Sequence, residues 1–133
     1  MKEMEFIPLE MVDGVTFGET RDKVRVKFGQ AYKEFKKSRF SKNTADAYEF
    51  FHVYYTDNDL FEALEVFPEA KLKTKDGFVL NEYSQSLVWL KSLDSETEVN
   101  NDGATSYELG ISIYAPDEKI ESIIIAEKDY YKK

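Results

Sequence analysis

The stretch "ELGISIYAPDEKIESIIIAE", residues 108–127, constrains the fold more than any other part of the chain. Two apolar, β-prone runs flank a Pro116-Asp117-Glu118-Lys119 break, which is the pattern of an antiparallel hairpin. In "YELGISIY", alternation predicts that Tyr107, Leu109, Ile111 and Ile113 point one way and Glu108, Gly110, Ser112 and Tyr114 the other. A face of four large apolar side chains, each contributing about 1.5–3 kcal/mol when buried, must be covered. "ESIIIAE" is apolar at three consecutive positions, so its strand is expected to be central and buried on both sides.

The cover comes from two helical segments. In "GVTFGETRDKVRVKFGQ", Gly18 permits a turn, Thr20 suits an N-cap, Asp22 sits where the helix dipole favours an acid, and Gly29 supplies a stop. Val24 and Phe28 share one face of that helix. In "NEYSQSLVWLKSL", Asn81 is a plausible cap, and Tyr83, Leu87 and Leu90 form a stripe at helical spacing. A second hairpin is written in "YEFFHVYYTDNDLFEALEVFPEA", turning at Asp57-Asn58-Asp59 and ending at Pro68. "AYKEFKKSRF" reads as an edge strand whose lysines deter edge pairing, and "KLKTKDGFVL" as a short strand pair broken at Asp76-Gly77.

These segments predict an α+β fold, a mainly antiparallel sheet with two helices packed on one face, in a single domain over residues 1–133. A shift of sixty residues lays Phe51, Val53, Asp57, Leu60, Ala63 and Leu64 on Ile111, Ile113, Asp117, Ile120, Ile123 and Ile124. A shift of sixty-three aligns Gly18, Glu19, Val24 and Val26 with Asn81, Glu82, Leu87 and Trp89. Two readings stand: a tandem helix-hairpin duplication with halves at 14–68 and 77–127, or the chance superposition of two amphipathic hairpins.

Composition narrows the chemistry. The chain has no Cys and one His, which removes thiolate chemistry and leaves a transition-metal site poorly supplied. His52 lies inside "FFHVYY" with no nucleophile elbow nearby, so it is expected to be a partly buried or cross-strand histidine rather than a catalytic one. Asp57-Asn58-Asp59 opens like a calcium loop, but Phe61 and Glu62 stand where an oxygen ligand and Gly are needed. No catalytic residue, metal site or cofactor is assigned. "MKEMEFIPLEMVDG" has no apolar leader region, and no window approaches the roughly 18 apolar residues that cross a bilayer. A cytoplasmic protein with no membrane partner is expected.

Net charge is −8, which argues against nucleic acid as the main partner despite the basic, aromatic run "YKEFKKSRFSKN". The charge is also unevenly placed. Residues 21–42 hold nine basic and two acidic side chains, whereas residues 94–121 hold eight acidic and one basic. Acidic loops of this kind can steer and dock a basic partner. The candidate docking residues are Asp94, Glu96, Glu98, Asp102, Asp117, Glu118 and Glu121, with the tyrosines Tyr107, Tyr114 and Tyr130, and they are expected to converge on one patch.

"GVTFGETRDKVRVKFG" resembles the Gly-x-Thr-x-x-x-Val-x-x-x-Phe/Leu-Gly opening of small helix-hairpin modules, such as the outer-membrane assembly lipoproteins. Two such units in tandem also occur in the proteinaceous β-lactamase inhibitors. The chain lacks the lipobox of the former and the disulfide cysteines of the latter, so neither function carries over. The order of the first helix, "YYTDNDLFEALEVFPEAKL", "DGFVL", the second helix and "ELGISIYAPDEKIESIIIAEKDYY" is similar to that of small bacterial proteins of the toxin-immunity kind. That resemblance implies a non-enzymatic inhibitor that occludes a partner, often a basic toxin domain. The alternatives are a carboxylate-dependent or metal-assisted hydrolase, and a homo-oligomeric regulatory domain that uses a sheet edge. The oligomeric state is left open.

Overall fold

A computed structural model of the chain describes residues 2–132. Its elements are β1 (Lys2–Ile7), β2 (Met11–Val12), β3 (Val15–Thr16), α1 (Arg21–Phe28), β4 (Lys33–Phe35), β5 (Ala45–Ala47), β6 (Phe51–Tyr55), β7 (Phe61–Val66), β8 (Ala70–Thr74), α2 (Tyr83–Leu93), β9 (Glu98–Asn100), β10 (Gly103–Ser106), β11 (Ile111–Tyr114) and β12 (Ser122–Ala126). Short 3₁₀ turns lie at Pro116–Glu118 and Tyr130–Lys132. The fold is α+β with mostly antiparallel sheets.

The eight strands of the large sheet run in the order β4-β5-β6-β7-β12-β11-β10-β9, and every neighbour is antiparallel. Each half is therefore a four-stranded meander that follows a helix: α1 then β4 to β7, α2 then β9 to β12. The halves meet at β7 and β12, where Val66, Glu65, Leu64 and Ala63 oppose Ile123, Ile124, Ile125 and Ala126. The triple isoleucine strand is thus interior, as its apolar run requires.

The sixty-residue shift survives only in part. It superposes Leu64 on Ile124, yet Leu64 is buried with the helices whereas Ile124 packs with Ala63 and Ala126 on the opposite side. The register irregularity at Tyr54/Tyr55 moves the first hairpin out of step with the second. The two halves share a layout, not a residue-by-residue alignment.

A second, four-stranded sheet, β3-β2-β1-β8, closes over the same core. Here β8 leaves the large sheet after the turn at Pro68 and pairs in parallel with β1, from Lys2 opposite Ala70 to Phe6 opposite Thr74. Organised structure therefore begins well before the Gly18 turn, and Met4 and Phe6 are fully buried. One cluster joins Met4, Phe6, Val12, Val15 and Leu72 of this sheet to Val24 of α1, Tyr83 and Leu90 of α2, and Phe51, Val53, Phe61, Leu64, Ile111, Ile113, Ile123 and Ile125 of the large sheet. Both helices and the small sheet consequently share one face of the large sheet.

Local chemistry explains the boundaries. Thr20 caps α1 by accepting from the Lys23 N–H, and Gly29, at φ 91°, donates its N–H to the Arg25 carbonyl 2.8 Å away. The cap position of α2 is Glu82 rather than Asn81, with no side-chain bond. The alternation expected from Tyr107 starts only at Ile111, because residues 107–110 form a turn that ends on Gly110 at φ 66°. Tyr107 and Leu109 thus stand outside the strand.

The seam and one glycine give direct tests. Ile125→Ala removes a fully buried side chain opposite Leu64 and is expected to cost about 2–5 kcal/mol in denaturant unfolding. Gly103→Ala is expected to destabilise as well: φ is +145° there, and a Cβ would lie 1.9 Å from the Ile113 carbonyl oxygen.

Candidate functional site

The large sheet has one face packed and one turned outward, and a buried ion cluster helps to fix which is which. Arg21 and Arg25, one turn apart on α1, reach the same carboxylate of β5. Asp46 is fully buried between the outward-facing Ala45 and Ala47. Its Oδ1 accepts from Arg21 Nη2 and Arg25 Nη2, each at 2.7 Å, and its Oδ2 accepts from Arg25 Nε and the Tyr55 hydroxyl, each at 2.9 Å. Arg21 also lies 4.4 Å from the Tyr55 ring centre and donates to the Thr44 carbonyl and to Asp59. Burial works against the Asp46 charge, but hydrogen bonds from Arg25, Arg21 and Tyr55 more than offset it and hold the carboxyl below its ordinary value. The same bonds raise the Arg25 guanidinium. Among the described residues Arg21 Nε is buried without a hydrogen-bond partner, while the donors aimed at Asp46 are engaged and clamp the helix to the sheet.

On the outer face one row of side chains crosses all eight strands. From β4 to β9 it reads Lys33, Ala47, His52, Glu65, Ile124, Ser112, Thr105 and Glu98, each directly opposite the next. A cation ends the row on one side and an anion on the other. Beside this row runs a nearly continuous chain of aromatic rings. Phe67 meets His52 at 4.8 Å between centres, His52 meets Phe35 at 4.8 Å, and Phe35 meets Tyr54 at 6.3 Å. The Lys37 ammonium then bridges, 4.7 Å from the Tyr54 ring and 4.9 Å from the Tyr130 ring. Tyr130 meets Tyr131 at 5.0 Å, and Tyr131 meets Tyr107 at 5.7 Å.

These rings are held rather than loose. The Tyr54 hydroxyl donates to Glu65 Oε1 at 2.6 Å, and burial together with that bond raises its pKa strongly. Burial pushes the Tyr131 phenol up to about 12. Beneath the tyrosines lie the small residues Ala45, Ala63 and Ala126, which let the rings settle against the sheet. Phe35, His52, Glu65, Phe67, Ile124, Tyr130 and Tyr131 are all partly exposed, and Tyr107 is 48% exposed. The rings give this face a partly exposed, amphipathic surface.

The ten residues singled out by charge and aromaticity fall into two groups. Asp102, Tyr114, Asp117, Glu118 and Glu121 stand where β10 begins and β11 ends, Asp117 and Glu118 in the left-handed region at φ 61° and 60°. Asp94, Glu96, Glu98 and Tyr107 stand at the other end, about 10–13 Å away along the strands, with Tyr130 next to Tyr131 on the outer face. Asp94 is occupied locally, accepting from the Ser106 hydroxyl at 2.7 Å and the Glu96 N–H at 3.0 Å. Only Tyr107, Tyr130 and Glu98 belong to the aromatic face or its border row. Phe35, Lys37, His52, Tyr54, Glu65 and Phe67 join that face without having been expected there. The signal was present in "FFHVYY", where strand alternation puts His52 and Tyr54 on the side opposite Phe51, Val53 and Tyr55.

Two measurements follow from these environments. Asp46 has a lowered native pKa, so its stabilisation is complete above the unfolded carboxyl value of about 3.9 and disappears as pH falls through the lower native value. Asp46→Asn is expected to cost about 3–5 kcal/mol near neutral pH and to flatten the acid limb of a stability–pH curve. Burial, aided by Lys33 and opposed by Glu65, lowers the His52 pKa, so the single imidazole is expected to titrate by NMR below the usual value of about 6.5. Compared with protein-family models, curated proteins and solved structures, the chain matches none.

Proposed function

We propose that the protein is a non-catalytic binding protein that docks another protein on the outer face of its large sheet, and that its role is inhibitory, of the toxin-immunity kind. The observation that carries the proposal is the ring-to-ring chain from Phe67 to Tyr107, bridged by Lys37, on a face left open by both helices and the small sheet. Aromatic side chains fixed on a sheet present large contact area at little conformational cost, and such residues dominate the energetics of protein interfaces. The net charge of −8 favours a protein partner over nucleic acid.

The inhibitory role rests on charge. Of the acidic residues only Glu98 borders that face, while Asp117 and Glu118 lie beside Tyr83 and Leu87 of α2, so the acids would act at longer range to draw in a basic partner before the aromatic face closes over its working surface. No helix among the described residues is long and apolar enough to cross a membrane.

The test is capture of a partner from the native host with wild-type protein, followed by binding measurements on variants. Phe67→Ala and Tyr107→Ala are expected to weaken binding at least 30-fold, the effect of losing about 2 kcal/mol at a hot spot. Val26→Ser and Val88→Ser, on helix surfaces 84% and 70% exposed, are expected to leave it unchanged. The opposite pattern would move the docking surface to the helices. For the inhibitory role, co-expression with the captured partner should abolish that partner's toxicity; a partner that is not toxic refutes it.

A further inference from the structure

Where β1 and β8 end beside the second half of α2, away from the outer face, the structure holds a cavity of about 400 Å³. Its walls are apolar: Phe6, Ile7 and Pro8 around the end of β1, and Trp89 and Leu93 from α2. The indole is fixed in place. Phe78 stacks on it nearly parallel at 5.5 Å between ring centres, and the fully buried Phe6 meets it edge-on at 6.2 Å. Leu93, 53% exposed, stands at the mouth. A preformed apolar recess of this size falls in the range of small-molecule sites. Since an apolar cavity of about 150 Å³ holds one benzene ring, this one has room for two fused rings and a short substituent.

The rim decides the charge of the ligand. Lys75 and Asp76, both exposed, are the charged residues that line the cavity. Asp76 is engaged locally: its Oδ1 accepts from the Thr74 hydroxyl, which itself accepts from the Phe78 N–H at 3.0 Å. Lys75 has no such tie. Along the pairing of β1 with β8, Lys71 stands opposite Glu3 and Lys73 opposite Glu5, and the Lys73 ammonium lies 3.6 Å from Glu3. That ladder stops at Phe6 and Thr74, so Lys75 falls beyond the acids of β1, and it forms no ion pair among the described residues. An unmatched ammonium above apolar walls is complementary to an anionic head on an apolar body.

We infer that this cavity is a binding site for a small amphiphilic carboxylate, with its rings against Trp89 and Leu93 and its carboxylate on the Lys75 ammonium. The site is separate from the docking face. It opens among β1, β8 and α2, whereas the rings from Phe67 to Tyr107 lie on the other side of the large sheet.

Trp89 is the only tryptophan of the chain, so its indole N–H gives a single NMR signal that reports on the cavity. The probes are 2-naphthoate and its uncharged analogue 2-naphthamide, each titrated into the full chain. Naphthoate is expected to move the indole signal saturably, with one molecule bound and a Kd between about 10 and 500 μM. The amide is expected to bind at least about fivefold more weakly, having no charge to set against Lys75. Lys75→Glu should weaken naphthoate at least tenfold and leave the amide unchanged, and Leu93→Ser should weaken both. Both positions are exposed, and circular dichroism verifies that each variant is folded. The absence of a saturable shift overturns the inference, and so does equal affinity for acid and amide. If Phe67→Ala removes naphthoate binding while Leu93→Ser does not, the ligand sits on the outer aromatic face and the cavity assignment falls. Phe67→Ala is otherwise expected to spare naphthoate binding while weakening partner capture, so failure of the cavity and failure of the docking face are read separately.

Discussion

The antiparallel pairing of β7 with β12 is the constraint on which the molecule depends. Without it there are two short meanders, each too narrow to shelter a core or to present a broad surface. With it, Leu64 and Ile125 meet at the centre of an eight-stranded sheet, and the helix that precedes each half has a common floor to pack on. The inner side of the seam is wholly apolar. The outer side carries Ala63 against Ala126 and Glu65 against Ile124, so the same pairing that builds the core sets the middle of the open face.

The ion cluster around Asp46 performs the corresponding task for the first half. A strand that alternates Ala45 outward, Asp46 inward and Ala47 outward could slip by one residue at modest hydrophobic cost. Slippage would leave two arginines of α1 without their carboxylate and Asp46 in solvent. An ion pair this buried adds little net stability relative to an apolar replacement, but it forbids the wrong register. Fixing β5 in this way also fixes where β4 lies, and with it the basic border of the outer face.

Much of this architecture could be read from residues alone, and the reasons for the gaps are physical. Alternation and turn chemistry located both hairpins, both helices and the Thr20 and Gly29 caps, because those signals are local. The pairing of β1 with β8 is between segments nearly seventy residues apart, and "KEMEFI" carries too few apolar positions to announce a strand without its partner. The Arg21–Arg25–Asp46 clamp is likewise non-local: the helix spacing was visible, its target was not. For the surface, net charge drew attention to the acidic loops. The aromatic face was harder to see, since its rings come from β4, β6, the turn after β7 and the last turn of the chain, and only the folded sheet brings them side by side.

The seam has a consequence for a chain emerging from the ribosome. When Val66 has been made, β7 is the bare end of a growing sheet, and its natural neighbour is still some sixty residues from synthesis. Until β12 arrives, the backbone of "FEALEV" offers unpaired donors and acceptors to any extended segment nearby. The pairing of β8 with β1 needs no residue beyond Thr74, so the small sheet can form before β12 is made. The seam is thus a pairing that a chain made from its N-terminus can complete only late, and the half-molecule before it carries an unpaired strand edge of the kind that favours aggregation.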